Sequence, residues 1–255
     1  MEKVLSLSHV SYSYHSDQGE TRALSDISFD VSKGEFFVIV GPSGCGKSTL
    51  LHLIAGLMPA ATGEILLNGK PHGTFPDSVG YMLQKDHLLE HRTILKNTTL
   101  GLEIQKKDTP ENKKRIEEML HQYGLWDFRN VRPSQLSGGM RQRAALIRTL
   151  ALSPKLLLLD EPFSALDYQT RLKVSDDIGC IIKKNKITAI LVTHDLSEAI
   201  SMADRILILS SRPGTIKNIV PIHFETPPAS PEEARNMPEF KDYFNLIWKE
   251  VKYES

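Results

Sequence analysis

A glycine-rich segment near the start of the chain has the residue types and spacing of a phosphate-binding loop. It fits the pattern G-x-x-x-x-G-K-[ST] and consists of Gly41, Pro42, Ser43, Gly44, Cys45, Gly46, Lys47, Ser48 and Thr49. In such a loop the glycines let backbone N–H groups approach phosphate oxygens, the lysine adds a full positive charge, and the hydroxyl after it can hold Mg²⁺. The apolar run Phe36–Val40 precedes the loop and a helix-like stretch follows it. This context favours a nucleotide site over a simple glycine-rich turn.

Two adjacent carboxylates, Asp160 and Glu161, follow the apolar run Leu156–Leu159. A buried charge persists only when it is paired or coordinates a metal ion, so we expect Asp160 to hold Mg²⁺, directly or through water. Glu161 faces a different direction and is predicted to orient and polarise the water that attacks a γ-phosphate. The alternative, that the pair caps the helix after Pro162, is weaker because the chain already has a phosphate loop.

Two further polar side chains, Gln84 and His194, each follow a mainly apolar run, Val79–Leu83 and Ile187–Thr193. Either residue alone would be an ordinary solvated loop residue. We predict that both runs are strands lying beside the phosphate loop. There Gln84 would ligate Mg²⁺ or water, and His194 would contact the γ-phosphate.

A second anion-binding helix start is predicted at Ser137, Gly138 and Gly139, which open a helix running to about Leu152. Ser137 has N-cap chemistry, and the bare backbone of the two glycines can approach an anion. Simple helix capping is the alternative. Because the chain has one lysine loop and two such helix starts, a second copy of the chain could lend its serine and glycines to the nucleotide of the first.

The elements that must position these residues alternate along the chain. The apolar runs listed above have no polar alternation and are typical of parallel strands covered on both faces, whereas helix-like stretches occur at Lys47–Ala55, within Thr93–Leu152 and at Ala165–Lys184. This order indicates an α/β fold, in which ligands bind at the carboxyl ends of the strands. Two earlier stretches, Leu5–Tyr14 and Thr21–Val31, alternate with period two and predict antiparallel strands joined by a loop at residues 15–20.

The rest of the chain divides into an inserted region and a tail. Pro110 is well placed to open a helix that runs to about Tyr123 within a charged stretch, which we interpret as a solvated helical insertion. After Ile208 we expect irregular structure, with a turn at Pro213-Gly214 and a linker at Pro227, Pro228 and Pro231. The aromatic spacing of Pro238–Val251 predicts a terminal helix that docks on the domain. We therefore expect a nucleotide-binding domain over 1–225, with a helical subdomain at about 86–153, and a linker and helix over 226–255.

The composition narrows the possible functions. The 255 residues include 31 basic and 31 acidic side chains, which argues against a generally basic nucleic-acid coat or an acidic disordered tail. No apolar run approaches the roughly 18 residues that cross a bilayer, and the first residues lack the order of a signal peptide. Two cysteines in unlike contexts, Cys45 and Cys180, make a disulfide framework or a zinc site improbable. These features predict a cytoplasmic protein.

Taken together, the motifs resemble those of the ATP-binding cassette ATPases, from about Leu5 to Val220. The set comprises the phosphate loop, Gln84, Leu136-Ser137-Gly138-Gly139, Asp160-Glu161, Ser164-Ala165-Leu166-Asp167 and His194, and in this order and spacing it is highly specific. The resemblance implies a P-loop NTPase (RecA-like) parallel sheet core, an N-terminal antiparallel β region and a helical insertion subdomain. It implies ATP and Mg²⁺ as cofactors.

The resemblance also implies roles for particular residues. Tyr14 would stack on adenine. The alternative is that Tyr14 is an ordinary strand tyrosine, because Tyr12 lies only two residues away. Ser137 to Gly139 would bind the γ-phosphate of ATP held by the opposite subunit, and Asp167 would lie at the dimer interface.

Two details indicate a branch of the family. Met140 replaces the glutamine that usually follows the signature glycines, and Ser211-Arg212-Pro213-Gly214 follows a late strand. Both look like the importers of nitrate, sulfonate and taurine, although other importers share a similar cassette. The expected function is an ATP-hydrolysing subunit of an importer. It would be a homodimer on the cytoplasmic face of the membrane, with ATP at its interface, bound to permease subunits and indirectly to a solute-binding protein.

The alternative function is a cassette that acts on nucleic acid or ribosomes. Such proteins usually carry two cassettes, long coiled coils or zinc insertions, which this chain lacks, so we expect no nucleic-acid partner. The transported solute cannot be read from the sequence.

Overall fold

The computed structural model describes residues 2–17, 19–71 and 78–252 and shows an α/β fold. Within these residues the strands form a six-stranded and a four-stranded sheet. The strands are β1 Lys3–Ser16, β2 Gly19–Ser32, β3 Phe36–Val40, β4 Thr62–Leu67, β5 Lys70–Pro71, β6 Val79–Met82, β7 Leu156–Asp160, β8 Ala189–Val192, β9 Arg205–Leu209 and β10 Ile216–Pro221. The helices are α1 Lys47–Ala55, α2 Ile94–Thr98, α3 Leu100–Ile104, α4 Pro110–Gln122, α5 Gly138–Leu150, α6 Tyr168–Lys184, α7 Leu196–Met202, α8 Pro231–Arg235 and α9 Pro238–Lys252. The predicted fold class is confirmed.

The larger sheet has the strand order β10-β9-β3-β8-β7-β6, and its neighbours run parallel except for β10 and β9. Every residue of β3 is buried. Phe36 and Val38 belong to the core on one face of the sheet and Phe37 and Ile39 to the core on the other, which explains the unbroken apolar run. Because the parallel strands end at one edge, the loops that follow them meet there.

The sheet order corrects one expectation about the strands beside the phosphate loop. β8, which precedes His194, pairs with β3 as predicted. The prediction for β6, which precedes Gln84, is wrong, because β6 is an outer strand separated from β3 by β8 and β7. The order of strands is set by pairing between distant segments, which the apolar pattern of each strand does not encode.

The smaller sheet contains the predicted N-terminal antiparallel pair. Its order is β2-β1-β4-β5, and β1 and β2 pair from Lys3 opposite Ser32 to Ser16 opposite Gly19. Both strands are longer than predicted, so the loop expected at residues 15–20 is replaced by a short connection; its residue Gln18 lies outside the described residues. The buried face of this sheet packs with α1 and one face of the larger sheet in a single apolar cluster.

Helices α2 to α5 lie between β6 and β7, in the region where a helical insertion was predicted. α4 begins at Pro110 and ends at Gln122, close to the predicted limits, and the Thr109 hydroxyl caps it by accepting from the Asn112 N–H. α5 ends at Leu150, two residues before the predicted end. The apolar faces of these helices join the core on the other side of the larger sheet.

The C-terminal part contains one element that the sequence pattern did not predict. After β9 the chain forms β10, antiparallel to it, where irregular structure was expected. The predicted terminal helix is present as α9 and docks through the fully buried Ile247, with Phe240 and Phe244 packed against the core. Residues 253–255 of the predicted tail lie outside the described residues. Within the described ranges, no helix is both long enough and apolar enough to cross a membrane.

Candidate functional site

The phosphate-loop sequence connects the end of β3 to the start of α1. Gly46 precedes the helix with φ of 106°, and a β-carbon there would lie 2.8 Å from Leu24 Cδ2. Only glycine combines this backbone conformation with so close a neighbour. No side chain caps α1, so the first N–H groups of the helix are available to an anion, which the helix dipole also attracts.

Lys47 lies inside the loop and is almost fully buried. Its ammonium group donates to the carbonyl oxygens of Gly41 and Pro42, at 2.9 Å each. These bonds hold the lysine against the backbone of the loop. Burial of a full positive charge whose hydrogen bonds go to neutral carbonyl oxygens favours the approach of an anion.

Asp160, at the end of β7, is buried and joined to the phosphate loop. Its Oδ1 accepts from the Ser48 hydroxyl at 3.1 Å, and its Oδ2 accepts from the Tyr81 hydroxyl at the same distance. Burial and the neighbouring carboxylate both raise the pKa of Tyr81, so the phenol stays a donor. Sequence reasoning missed Tyr81, whose only signal is its place in the strand beside β7.

These oxygen atoms suit a magnesium ion. Ser48 and Asp160 bring a hydroxyl and a carboxylate together, and Mg²⁺ prefers oxygen ligands and keeps several waters or phosphate oxygens. In the described ranges no group of three or more His, Cys, Asp and Glu side chains could hold a metal ion on its own. The residues therefore fit a magnesium ion that takes its remaining ligands from water and phosphate, rather than a metal centre made of protein ligands alone.

Glu161 follows Asp160 and turns its side chain to His194. His194 Nδ1 lies 3.1 Å from Glu161 Oε2, a hydrogen-bond distance at which the carboxylate accepts. Glu161 has φ of 44°, the left-handed region that a non-glycine residue rarely adopts. Its N–H donates to the Val192 carbonyl at 2.9 Å, and its own carbonyl accepts from the Ser164 hydroxyl at 2.9 Å. These bonds maintain a strained backbone of the kind that clusters at functional sites.

The turn carrying His194 is fixed by two neighbours that sequence reasoning missed. The Thr193 hydroxyl donates to Glu198 Oε2 at 2.7 Å and accepts from the Asp195 N–H at 3.0 Å. Glu198 lies on α7 and is buried, and burial is the main cause that raises its pKa from 4.5 to about 7. A glutamate five residues after a threonine, on the helix after a candidate site residue, is too weak a signal to find without the fold.

Gln84 lies near these residues but is not bonded to the phosphate loop. Its amide nitrogen donates to the Ser164 hydroxyl at 3.1 Å, the same hydroxyl that donates to the Glu161 carbonyl. The structure therefore links Gln84 to Glu161 through Ser164, whereas we expected Gln84 to follow a strand beside the phosphate loop.

The segment after Gln84 is tied to α5. Arg141 Nε donates to Asp86 Oδ2 at 3.1 Å, and the Arg148 guanidinium donates to the carbonyl oxygens of Asp86 and His87 at 2.6 and 2.7 Å. Because α5 begins directly after Ser137, this helix joins the Gln84 segment and the serine–glycine turn into one connected unit.

A cavity of about 260 Å³ opens at the phosphate loop. The residues lining it are Ala23, Ser43, Gly44, Gly46, Lys47, Ser48, Thr49, Glu161 and Arg212. Tyr14 lies close by, with its hydroxyl 3.0 Å from Thr49 Oγ1, its ring edge-on to Tyr12 and 42% of the residue exposed. Its ring thus has the freedom to meet a flat ligand at this end of the loop.

Ser137, Gly138 and Gly139 lie elsewhere on the chain. Ser137 is exposed and caps α5 by accepting from the Met140 N–H at 3.4 Å. A β-carbon on Gly138 would lie 2.8 Å from Leu166 Cδ2, so this turn packs against the segment that leads to Asp167. Asp167 caps α6, and its hydrogen bond with Thr170 lowers its pKa. None of the residues at 137–139 or 167 is among the described residues that line the phosphate-loop cavity.

Larger cavities occur at the opposite edge of the sheet. One of about 370 Å³ lies between α4 and the amino end of β7, with Arg115, Tyr123 and Pro154 among its lining residues. Size alone does not identify a site, because none of the residues predicted to carry chemistry lines this cavity.

Several known proteins are similar to this chain in sequence. A family model described as ABC transporter matches residues 24–164. An uncharacterized ABC transporter ATP-binding protein of Bacillus subtilis is 47% identical over 97% of this chain and 95% of its own length. The taurine import ATP-binding protein of Pelagibacter ubique is 41% identical over 80% and 77%. The aliphatic sulfonates import ATP-binding protein of Bacillus licheniformis is 37% identical over 91% and 88%.

A solved structure shares both the fold and part of the sequence. It is the dimeric post-hydrolysis state of the ATP-binding cassette MJ0796 bound to ADP and Pi. The likeness has a TM-score of 0.73 at 28% identity, and it covers 86% of this chain and 99% of the other.

Proposed function

The chain belongs to the ABC transporter family of ATP-hydrolysing subunits, and on this premise we propose that it powers an importer. It works as a head-to-tail homodimer with two ATP molecules and Mg²⁺ at the interface, and it drives solute uptake through separate permease subunits. The observation that carries the proposal is a difference in position between two groups of predicted site residues in the same chain. Lys47, Asp160, Glu161 and His194 converge at one edge of the sheet, whereas Ser137 lies outside their cavity.

The phosphate loop binds the polyphosphate of ATP. The uncapped N–H groups of α1 and the Lys47 ammonium supply donors and positive charge to the phosphate oxygens. Tyr14 stacks on the adenine, since its half-exposed ring lies next to Thr49. Together these contacts hold the nucleotide so that its terminal phosphate lies toward Glu161, which lines the same cavity.

Ser48 and Asp160 hold Mg²⁺. Gln84 contacts the ion or one of its waters through its amide oxygen, because its amide nitrogen donates to the Ser164 hydroxyl. When bound, the ion neutralises negative charge on the β- and γ-phosphates.

Glu161 accepts a hydrogen bond from the attacking water and orients it toward the γ-phosphorus. The His194 contact fixes the carboxylate and leaves the exposed imidazole, 56% of whose side chain is accessible, free to meet the γ-phosphate. The Thr193 and Glu198 hydrogen bonds hold the turn on which His194 lies.

The second half of each site comes from the partner subunit. Ser137 is exposed at the start of α5, and its hydroxyl and the N–H groups of Gly138 and Gly139 bind the γ-phosphate of the nucleotide held by the other copy. Asp167 lies at the same interface. Because the nucleotide contacts both chains, ATP stabilises the dimer and hydrolysis weakens it. The dimeric ADP-bound cassette structure supports this arrangement.

The partners are integral membrane permease subunits and, through them, a solute-binding protein. The permease binds to residues 85–100, which Arg141 and Arg148 join to α5 by hydrogen bonds. The chain therefore works at the cytoplasmic face of the membrane. The import proteins for taurine and aliphatic sulfonates support the nitrate, sulfonate and taurine type, as do Met140 and Ser211–Gly214.

The ATPase part of the proposal is tested by nucleotide titration and phosphate release. The parent chain should bind ATP and release phosphate when Mg²⁺ is present. Lys47→Ala should weaken ATP binding by about 100-fold, because it removes a buried charge from the loop. Lys155→Ala, an exposed lysine at the amino end of β7, is the matched control. Retained affinity in Lys47→Ala would overturn the phosphate-loop assignment.

The transport part is tested by purification from membranes and by growth. The tagged chain should co-purify with permease subunits encoded beside it, and deletion of its gene should abolish growth on taurine or alkanesulfonates as sulfur source. Co-purification with RNA or ribosomes in place of a permease would favour the nucleic-acid alternative. Unchanged growth on both sulfur sources would remove the sulfonate type and leave nitrate as the remaining member of that branch.

A further inference from the structure

The turn between β9 and β10 is docked on β2 and on the phosphate loop. The Gly214 N–H donates to the Ala23 carbonyl of β2, and the N–H of Ser25, also in β2, donates to the Gly214 carbonyl, both at 2.9 Å. A β-carbon on Gly214 would lie 2.2 Å from the Cys45 carbonyl oxygen. Only glycine permits so close an approach, so the turn is in direct backbone contact with the loop.

Internal hydrogen bonds hold the shape of this turn. The Ser210 hydroxyl lies 2.9 Å from both the Ser211 carbonyl oxygen and Thr215 Oγ1, and it accepts from the Thr215 N–H at 2.8 Å. The Ser210 N–H also donates to the Thr215 carbonyl at 2.9 Å. Arg212 therefore lies on a turn whose backbone is held in one conformation by hydrogen bonds.

The Arg212 side chain is directed to the loop and not to a carboxylate. It lines the same cavity as Lys47, and its Nη2 would lie 4.0 Å from a β-carbon on Gly44. Arg212 is exposed and forms no ion pair with any residue in the described ranges. A second cation thus stands beside the glycines of a phosphate loop without an acidic partner to neutralise it.

We infer that Arg212 is a further nucleotide-binding residue, whose guanidinium binds phosphate oxygens from the Gly44 side of the loop. This inference rests on the proposed nucleotide site and adds a contact to it. The glycines of a phosphate loop cradle the α- and β-phosphates, which ATP and ADP share, while the lysine reaches the β- and γ-phosphates. Arg212 therefore contributes equally to binding both nucleotides and does not act on the γ-phosphate.

A residue that binds ground state and transition state alike changes KM and leaves kcat unchanged. Arg212→Gln should weaken ADP and the non-hydrolysable analogue adenylyl imidodiphosphate by about 10-fold at low salt, in titrations of the full chain. KM for ATP should rise to a similar extent with the same kcat. Arg212→Lys should recover most of the affinity, and the control Lys155→Gln should bind like the parent.

Three results would overturn the inference. They are an unchanged affinity in Arg212→Gln, a lowered kcat at unchanged KM, and a loss of affinity that persists undiminished at high salt, where screening should bring variant and parent together. The last result would mean that the arginine only shapes the turn. Failure of the proposed site looks different, because the parent would then bind no nucleotide, or Lys47→Ala would bind as well as the parent.

Discussion

The phosphate-loop region and the serine–glycine turn at Ser137 differ in how much of a binding site each one forms within a single chain. At the loop, buried Lys47 and Asp160 are hydrogen-bonded to backbone and hydroxyl groups, and Glu161 is held to His194. At the turn, Ser137 is exposed, and its hydrogen bonds within the described part of the chain are to its own helix. The contacts of the loop region are all made within one chain, whereas Ser137 is exposed and none of the residues at 137–139 is among the described residues that line the phosphate-loop cavity.

In the proposed function the two regions have separate roles. We expect the loop region to bind nucleotide by itself, because its charge and donors lie within one chain. We expect the turn to contribute only when a second copy of the chain brings a phosphate to it. Nucleotide affinity of the monomer should therefore depend on the loop region, while dimerisation and turnover should depend on both.

The largest expected effect separates binding from hydrolysis inside the loop region. Glu161→Gln keeps the size of the side chain but lacks the carboxylate that orients water, so kcat should fall by about 10² to 10⁴. ATP affinity should stay near that of the parent, and dimers should accumulate with ATP in size-exclusion chromatography with light scattering. Normal turnover with an unchanged monomer profile would remove Glu161 from the role given to it.

The next effect isolates the turn. Ser137→Asp preserves the N-cap of α5, because aspartate caps as well as serine, but it places a negative charge where a γ-phosphate should dock. ATP-dependent dimers and turnover should fall at least about 100-fold. ATP affinity of the monomer should be unchanged.

Ser137→Asn is the matched control, since asparagine caps the helix and has the same shape without the charge. It should retain most of the dimerisation that Ser137→Asp loses. If the two variants behave alike, or if monomer affinity falls in both, the turn and the loop are not separate as described.

A smaller effect tests how Glu161 is held. His194→Ala removes the hydrogen bond to Glu161 and any contact with the γ-phosphate, so turnover should slow by about 10- to 100-fold with nucleotide binding largely retained. His223→Ala, an exposed histidine whose neighbour Tyr243 bonds only its backbone, is the control. A turnover rate equal to that of the parent would exclude His194 from the mechanism.

The remaining effect is on stability and not on turnover, and it concerns Glu198, which is buried and accepts a hydrogen bond from the Thr193 hydroxyl. Folding raises the pKa of Glu198 from 4.5 to about 7, so the folded protein binds this proton more tightly than the unfolded chain does. Its contribution to stability is therefore complete below pH 4.5 and is lost as pH rises to about 7. Glu198→Gln should remove this loss, which amounts to at most about 3 kcal/mol.

Urea unfolding at pH 5 and pH 8 measures the difference. The free energy of unfolding of Glu198→Gln relative to that of the parent should be higher at pH 8 than at pH 5. The reason is that glutamine can still accept from the Thr193 hydroxyl but does not ionise. Glu117→Gln, at an exposed position, should show no such gain. An equal difference at both pH values would mean that Glu198 does not titrate in this range.

The sequence predicted those parts of the fold that depend on neighbouring residues. The limits of α1, the strands β3 and β7, and the α/β class follow from runs of apolar residues and a motif whose context is local. The failures are non-local. The position of β6 was wrong because strand order depends on distant pairing, and β10 was missed because Pro213 and Gly214 precede it and resemble irregular structure.

The candidate site shows the same limit. The loop residues, Asp160 and Glu161 were found from spacing, and the structure brings them together, although their roles remain predictions. The contacts of Tyr81, Thr193 and Glu198 carry no motif, because each is a single hydrogen bond between segments that only the fold brings together. In the sequence, Arg212 was part of a motif that indicated a branch of the family. Its position beside Gly44 depends on the hairpin of β9 and β10, which the sequence pattern did not predict.

The most direct test of the account is a structure of Glu161→Gln with ATP and Mg²⁺. We expect a two-fold symmetric dimer in which Ser137 of each chain lies within hydrogen-bond distance of the γ-phosphate held by Lys47 of the other. An assembly with ATP bound at Lys47 and Ser137 facing solvent or its own chain at every site would contradict it.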